Sequence, residues 1–418
     1  MTGHAGPAPG EVLIVGAGPT GLALAAQLHA HGGRVRIVDH RRGPQDSRAF
    51  VVHPRTLEVL APLGVADTLV ARGDASATAR LHAGGRVAAV GLVHPGLDDT
   101  AYPFLLAVPQ ATVEEVLEEH LRQVGVVVER GVGCTGLRQR PGGVEVALRG
   151  PDGPQRAFAD YVAGCDGAAS TVRGEIGVPF PSRAYRASLV LADLEVDDRG
   201  GGGVEPGAFH GFVGGPGILF LFPSPGASTW RLLTVNPRRG SDAPPDLAVL
   251  QGVADRFTGG TLRLRDLTWS STVRLRKGQA TRYRVGRVLL AGDAAHVQSP
   301  AAAQGMNTGI QDAANLGWKL AMVTAGAAPE SLLDSYHAER WVVARCVRHL
   351  TDLAFLAEAG DLPPLGLLRS LAAPLIPPLA RGVTVPSWAF RLLGGLCTGY
   401  RHSPVVEEGS PRLGRGPR

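Results

Sequence analysis

Cysteine is scarce in this chain. There are four, Cys134, Cys165, Cys346 and Cys397, with no C-x-x-C and no metal-ligand spacing. That excludes a disulfide-stapled fold and disulfide-exchange chemistry, and it fits reduced thiols in a cytoplasmic protein. Cys165 reads as a small buried residue, not a nucleophile. Lysine is scarcer still. Lys277 and Lys319 are the only two, so the net charge of +5 comes almost wholly from arginine. No dense Lys/Arg run occurs, which argues against a nucleic-acid partner. No apolar run is long enough to span a membrane: Leu371 to Ala380 is broken by Pro374, Pro377 and Pro378. Residues 1–10 have neither a basic start nor an apolar core, so no signal peptide is expected. There is no internal repeat.

What is present is a set of strand–turn–helix motifs. At 418 residues with 44% hydrophobic content, the chain can bury a large core and is expected to form two or three domains. Glu11 to Val15 is a short apolar strand that runs into Gly16-Ala-Gly18-Pro19-Thr-Gly21 and then a helix from Leu22 to His31. Gly16 suits a tight turn, Gly18 lets a pyrophosphate approach the backbone, and Gly21 lets helix pack on strand. A second strand, Arg34 to Val38, ends in Asp39, at the distance where a ribose-binding acid stands. Strand, glycines, helix, strand and acid together predict a dinucleotide fold.

Two further segments repeat the pattern. Phe158 to Ala163 reads as a strand that ends in Gly164-Cys-Asp166-Gly167, with a short helix over Ala168 to Arg173. Taken alone, this could be a plain strand-to-helix turn. Arg287 to Ala291 is a buried strand, followed by Gly292-Asp293, a small-residue loop through Pro300, and Gln304-Gly305-Met306-Asn307 opening a helix. A carboxylate at that strand end can hold a sugar hydroxyl, and the helix from about Asn307 offers free backbone N–H groups.

The three segments, in this order over residues 10 to 350, resemble the flavoprotein aromatic hydroxylases, the single-component FAD monooxygenases. The likeness is strongest to the actinobacterial polyketide hydroxylases, whose middle region ends much as Leu393-Gly-Gly-Leu396 and Tyr400 do here. The resemblance implies that the first motif binds the ADP half of FAD and that Asp166-Gly167 touches both the flavin region and an NADPH or NADH donor. Gly292-Asp293 would hold the ribityl chain. Pro300 and the helix start at Gly305, Met306 and Asn307 would flank the isoalloxazine ring. Arg48 stands where the family places a phosphate contact, whereas Arg34, Arg36, Arg41 and Arg42 read as a solvated basic surface. Gln110, ahead of an amphipathic helix over Thr112 to Arg122, either reaches the flavin side, as in the family, or starts the helix. The implied chemistry is reduction of FAD by NAD(P)H, addition of oxygen as a C4a-hydroperoxide, and hydroxylation of an electron-rich aromatic substrate in a dry site.

The implied fold is α/β. A discontinuous Rossmann-like FAD-binding domain would occupy 10–75, 106–185 and 282–350. An inserted antiparallel sheet over 76–105 and 186–281 would take the substrate, with a helical region over 351–405 and a flexible tail over 406–418. The sheet strands are expected at Ser188 to Val196, Ala208 to Val213, Ile218 to Phe222, Thr229 to Val235 and Leu267 to Leu275, with a separate hairpin across Pro141-Gly-Gly143. No substrate-activating base stands out: His210 and Tyr185 read as ordinary sheet residues, and His296 as a residue that braces its loop.

Two departures from the family matter. Ala302-Ala303 replaces a usual glycine pair, and alanine restricts the positive φ and close backbone approach that glycine allows. The chain also stops short of the thioredoxin-like domain that related polyketide hydroxylases carry. A flavin-dependent halogenase is discounted, because no Trp-x-Trp-x-Ile-Pro stretch is present. Two alternatives to the hydroxylase remain: an oxygenase that inactivates a polycyclic antibiotic, and a flavin-binding partner protein without oxygenase turnover. The sequence carries no sign of oligomeric state.

Overall fold

The structure is a computed structural model that describes residues 10–43, 49–75, 78–83, 86–94, 96–200, 203–213, 219–223, 228–236, 243–359, 385–401 and 403–406. A six-stranded sheet organises the first half of the fold. Its order is Arg284–Val285, Val288–Leu290, Tyr161–Gly164, Glu11–Val15, Arg34–Asp39, Val128–Arg130. All neighbours run parallel except the first pair. The central strands are apolar because both faces are covered. Leu13, Ile14, Val162 and Leu289 are fully buried, and each such side chain contributes roughly 1.5–3 kcal/mol on removal from water. The helices Pro19–Ala30, Gln110–Gln123 and Gln304–Thr324 belong to the same core.

An eight-stranded sheet forms the second half, in the order His296–Val297, Leu262–Gln279, Ser182–Asp198, Trp230–Val235, Leu219–Pro223, Phe209–Val213, Thr78–Ala83, Arg86–Gly91. On one face the helix Leu247–Thr258 packs Leu250 and Ala254 among Leu194, Phe212, Leu221, Trp230 and Leu232. The sequence led us to expect an antiparallel sheet, yet Thr78–Ala83 runs parallel to Phe209–Val213. That strand belongs to a separate stretch of chain, so no hairpin fixes its direction.

Other differences have local causes. The expected strand Phe158 to Ala163 is two strands. Gly153–Ala159 joins the three-stranded sheet with Gly133–Arg140 and Gly143–Gly150, and Tyr161–Gly164 joins the parallel sheet. Asp160 makes the break: its carboxylate accepts the Gly10 N–H at 2.7 Å and its own N–H donates to the Glu11 carbonyl. The strands Ser182–Asp198 and Leu262–Gln279 run well past their expected ends, paired along their length with shifts at Ala184/Ser188 and Asp193/Glu195. The long helix Leu332–Ala359 runs across residue 350, where the sequence placed the boundary between the FAD-binding domain and the helical region.

Candidate cofactor site

Four strand ends stand at one level. Val15 lies beside Gly164 and Val38, and Gly164 beside Leu290. Gly16, Cys165–Asp166, Asp39 and Ala291–Gly292 therefore leave the sheet side by side, beyond the carboxyl ends of parallel strands, where open α/β sheets take ligands.

Close packing locks these turns together. Gly16 adopts φ +104°, and a Cβ there would stand 2.4 Å from the Cys165 carbonyl oxygen, so only glycine fits. Gly292 adopts φ +59°, and its Cβ would stand 2.5 Å from Thr20 Oγ1, which puts the Gly292-Asp293 turn on the glycine-loop helix. Arg173 ties the second motif to the third, since its guanidinium donates to the Ala168 carbonyl at 2.7 Å and the Ala294 carbonyl at 2.8 Å. The Asp166 carboxylate accepts from Ser170 Oγ at 2.5 Å and from the Val172 N–H at 3.0 Å, so it braces its own turn.

Asp39 is buried and fully engaged. Its carboxylate accepts the Ala17 N–H at 2.7 Å and the Arg41 N–H at 2.8 Å, and Arg41 Nη2 lies 3.0 Å away. Burial works against ionisation, but the hydrogen bonds from Arg41 and the Ala17 amide outweigh it and hold the carboxyl below its usual range. Arg130 joins from the neighbouring strand, with Nη1 at 3.7 Å from Asp39 and a bond to the Ala17 carbonyl. Arg41, expected on a solvated surface, is thus a partner of the acid, and Arg130 was not anticipated at all.

The crevice suits a large anionic dinucleotide. Among the described residues no side chain caps the helices Pro19–Ala30 or Gln304–Thr324, so their first-turn N–H groups face whatever lies before them. A Cβ on Gly18 would approach only Arg41 Nη2, at 3.6 Å, and one on Gly305 would meet nothing within 4 Å. Asp293 is exposed, although the residues on either side, 288–292 and 294–296, are buried. A carboxylate that points out of an otherwise buried loop is placed to accept a hydroxyl.

The remaining expected residues are more varied. Pro300 is exposed, and Met306 packs against the core. The helix begins at Gln304, three residues earlier than expected. Asn307 is fully buried and its amide is occupied: Nδ2 donates to the Val51 and Ala303 carbonyls, and Oδ1 accepts the His53 N–H, each at 2.9 Å. Gln110 opens its helix and donates to Glu114 at 2.8 Å. Glu114 is fully buried, and burial raises its carboxyl above the usual range. Arg48 lies outside the described residues.

The alanine pair does what the sequence argued against. Ala302 sits at φ 58°, ψ 18° and Ala303 at φ 51°, ψ 35°, both left-handed. Each costs roughly 1–2 kcal/mol relative to ordinary backbone. The His53 imidazole is buried, and burial pulls it down to about 4 against the opposing influence of the Ala302 backbone.

Behind the Gly292 turn lies a buried ionic cluster that sequence reasoning missed. Asp312 accepts from Arg340 Nε at 2.6 Å, shares a proton with His296 Nε2 at 2.7 Å and accepts the Gly292 N–H at 3.1 Å. Burial opposes every charge here, yet Arg340 and His296 hold the Asp312 carboxyl low, and Asp312 holds His296 high. Asp312 could have been suspected from its place on the buried face of a helix, since an acid there needs a partner.

Beside this crevice is a cavity of about 370 Å³, walled by Phe50, Val108, Pro109, Phe209 and Pro223, with Asp74 and Arg72 as polar members. Phe50 stacks on Phe222 at 5.6 Å, and Phe222 meets Phe209 edge-on at 5.5 Å. Arg231 lies 5.3 Å from the Phe50 ring and is paired to Asp193 at 2.6 and 2.7 Å. His210 is elsewhere, buried against His82 at 2.9 Å, and the Tyr185 hydroxyl donates to Asp352.

The FAD binding domain family matches residues 10–351. The chain belongs to this family of FAD-dependent monooxygenases. Among its relatives, the 6-methylpretetramide 4-monooxygenase of Streptomyces rimosus is 38% identical over 95% of this chain and 71% of that protein. The rifampicin monooxygenase of Streptomyces venezuelae is 39% identical over 87% of this chain and 74% of that protein. The solved anhydrotetracycline hydroxylase OxyS of Streptomyces rimosus superposes with a TM-score of 0.73 at 34% identity, over 93% of this chain and 76% of its own. Another member of the family, the dialkyldecalin synthase of Streptomyces rugosporus, is 34% identical over 92% of this chain and 80% of that protein. No helix among the described residues is long and apolar enough to cross a membrane.

Proposed function

We propose that the protein hydroxylates a planar aromatic or polycyclic polyketide, taking electrons from NADPH or NADH and activating oxygen at C4a of its flavin. The observation that carries this reading is the convergence of three motifs on one crevice beside an aromatic-walled cavity. When bound, FAD supplies the redox chemistry.

The chain supplies placement. Asp39, held ionised by Arg41 and the Ala17 amide, fixes the glycine loop and the Arg41 guanidinium at the ribose end of the crevice. The uncapped helix at Pro19 faces the pyrophosphate, and Asp293 accepts from the ribityl chain. The left-handed turn at Ala302–Ala303 and the helix start at Gly305 and Met306 flank the ring. Phe50 and Phe209, with Phe222 packed against both, offer apolar surface to a fused-ring substrate and keep water from the reacting face.

A second reading has its own support. The kinship with a relative named as a dialkyldecalin synthase and not as a monooxygenase, together with the alanine pair, favours a flavin-binding protein without oxygenase turnover. The rifampicin monooxygenase likeness brings finished antibiotics among the candidate substrates. One experiment separates these outcomes: NAD(P)H oxidation is followed with a panel of polycyclic phenols and antibiotics, and products are weighed by mass spectrometry. Substrate-stimulated oxidation with gain of one oxygen atom is expected. No NAD(P)H consumption, with a product isomeric to its substrate, would move the assignment to the second reading.

A further inference from the structure

We propose that Phe50 sets which ring systems enter the aromatic-walled cavity, and that Arg231, acting through Phe50, is the positioning residue that holds this wall in place. Strand alternation supplies the platform. Trp230 and Leu232 turn into the core under the helix Leu247–Thr258, so Arg231 between them faces the other side of the sheet. On that side its direct cross-strand neighbours are Asp193 and Phe222, and Asp193 stands opposite Trp269. Trp269, Asp193, Arg231 and Phe222 thus form one row across neighbouring strands. Phe209 extends the row, edge-on to Phe222 at 5.5 Å. Phe50 lies on this row from outside the sheet. Its ring stacks on Phe222 at 5.6 Å, and its centroid is 5.3 Å from the Arg231 guanidinium carbon. The Phe50 backbone belongs to the other half of the fold: its carbonyl accepts the Val108 N–H at 2.9 Å, and Val51–Val52 pairs with Leu106–Ala107. Phe50 is therefore a cavity wall held at its backbone by one half and at its ring by the other.

The ion pair is a poor choice for stability alone. The Arg231 and Asp193 side chains are 11% and 17% exposed, and well-packed apolar residues in place of such a pair are often as stable or more so. Its geometry has another use. Asp193 grips Nε and Nη2 at 2.6 and 2.7 Å, which fixes the flat guanidinium in a row of rings. The cation then lies over Phe50 and, at 5.6 Å, over Trp269, close enough to attract both ring faces. The cavity holds about 370 Å³, near the lower end of the range for ligand pockets, so a shift of one wall ring decides what fits.

The test uses the FAD-loaded protein and two phenols, a two-ring naphthol and a four-ring hydroxypyrene. The readout is kcat/KM for phenol-stimulated NAD(P)H oxidation, taken as the ratio of the larger phenol to the smaller. Phe50→Ala should raise this ratio roughly tenfold or more, the scale on which pocket size discriminates. Arg231→Met made together with Asp193→Asn leaves no charge stranded. This paired change should raise the ratio about threefold, the scale of one cation–π contact. Added to Phe50→Ala, it should raise the ratio no further. A merely structural role for Arg231 would lower both rates and leave the ratio alone. An unchanged ratio in Phe50→Ala, or the same shift from the paired change with and without Phe50, would overturn the proposal. If the paired change does not fold, Arg231→Lys, which keeps the charge and loses the planar fork, takes its place and is read in the same way. The inference rests on the hydroxylase reading only for turnover. If neither phenol stimulates oxidation, that reading fails, while the ratio of the two dissociation constants, read from the phenols' own fluorescence, still decides the roles of Phe50 and Arg231. A wild-type protein that binds neither phenol overturns the proposal.

Discussion

At the scale of single residues, Asp293 and His53 carry opposite consequences of burial. Asp293 is exposed in a buried loop, and as the proposed acceptor of a cofactor hydroxyl it would make a bond worth about 1.5–3 kcal/mol. Asp293→Ala should therefore weaken FAD binding roughly tenfold to a hundredfold, measured by fluorescence titration; unchanged affinity would reduce the residue to a bystander. His53 is enclosed, and its imidazole drops from 6.5 to about 4. The folded protein then binds fewer protons than the unfolded chain between those values, so stability is complete above pH 6.5 and falls as the pH drops toward 4. The loss is on the order of 3 kcal/mol. Urea unfolding at pH 7, 5.5 and 4.5 should show this decline, and His53→Gln should flatten part of it.

At the scale of elements, the informative unit is the turn Ala301–Ala303 with the helix it launches. Glycine at both alanine positions relieves left-handed strain but adds freedom to the unfolded chain. The net gain expected is about 0.5–1 kcal/mol for each residue, seen as a higher Tm. On the proposed placement of the flavin, the same substitutions remove two methyl groups beside its ring, and the fraction of NAD(P)H coupled to product should rise while peroxide falls. A double-glycine protein with unchanged Tm and unchanged coupling would mean that the turn tolerates alanine.

How much was legible in the sequence follows the range of the interactions. The motif strands and their helices were readable because apolar runs, glycines and terminal acids are local signals: Gly16, Asp39 and Asp293 stand where spacing put them. The partners were not readable. Arg130 reaches Asp39 from a strand 91 positions on, Arg340 reaches Asp312 from another helix, and Asn307 spends its amide on residues 51 and 53. Nothing in composition or period records which charged side chain meets which. Alternation also failed for the two longest strands, because their arginines and acids face solvent or one another, as Arg265 does with Asp197, and so read as loop.

At the scale of the whole molecule, the segment 288–303 belongs to both sheets. Val288–Leu290 lies in the parallel sheet and His296–Val297 in the eight-stranded one, with Asp293 between them. The Asp312–Arg340–His296 cluster braces that passage from behind, fully desolvated. Asp312→Ala would leave Arg340 buried without its counter-charge, and such losses run to about 3–5 kcal/mol. It should lower Tm steeply and release cofactor without touching it. The cofactor should in turn stabilise the junction. A ligand present at a hundred times its Kd adds about 2.7 kcal/mol to the folded state. FAD should raise the Tm of the apoprotein in a concentration-dependent way, and FMN should do so far less, because it lacks the adenosine that Asp39 and the Pro19 helix are placed to hold. Equal stabilisation by FMN would mean that the first motif contributes nothing to binding. No shift with either flavin would contradict the family assignment itself.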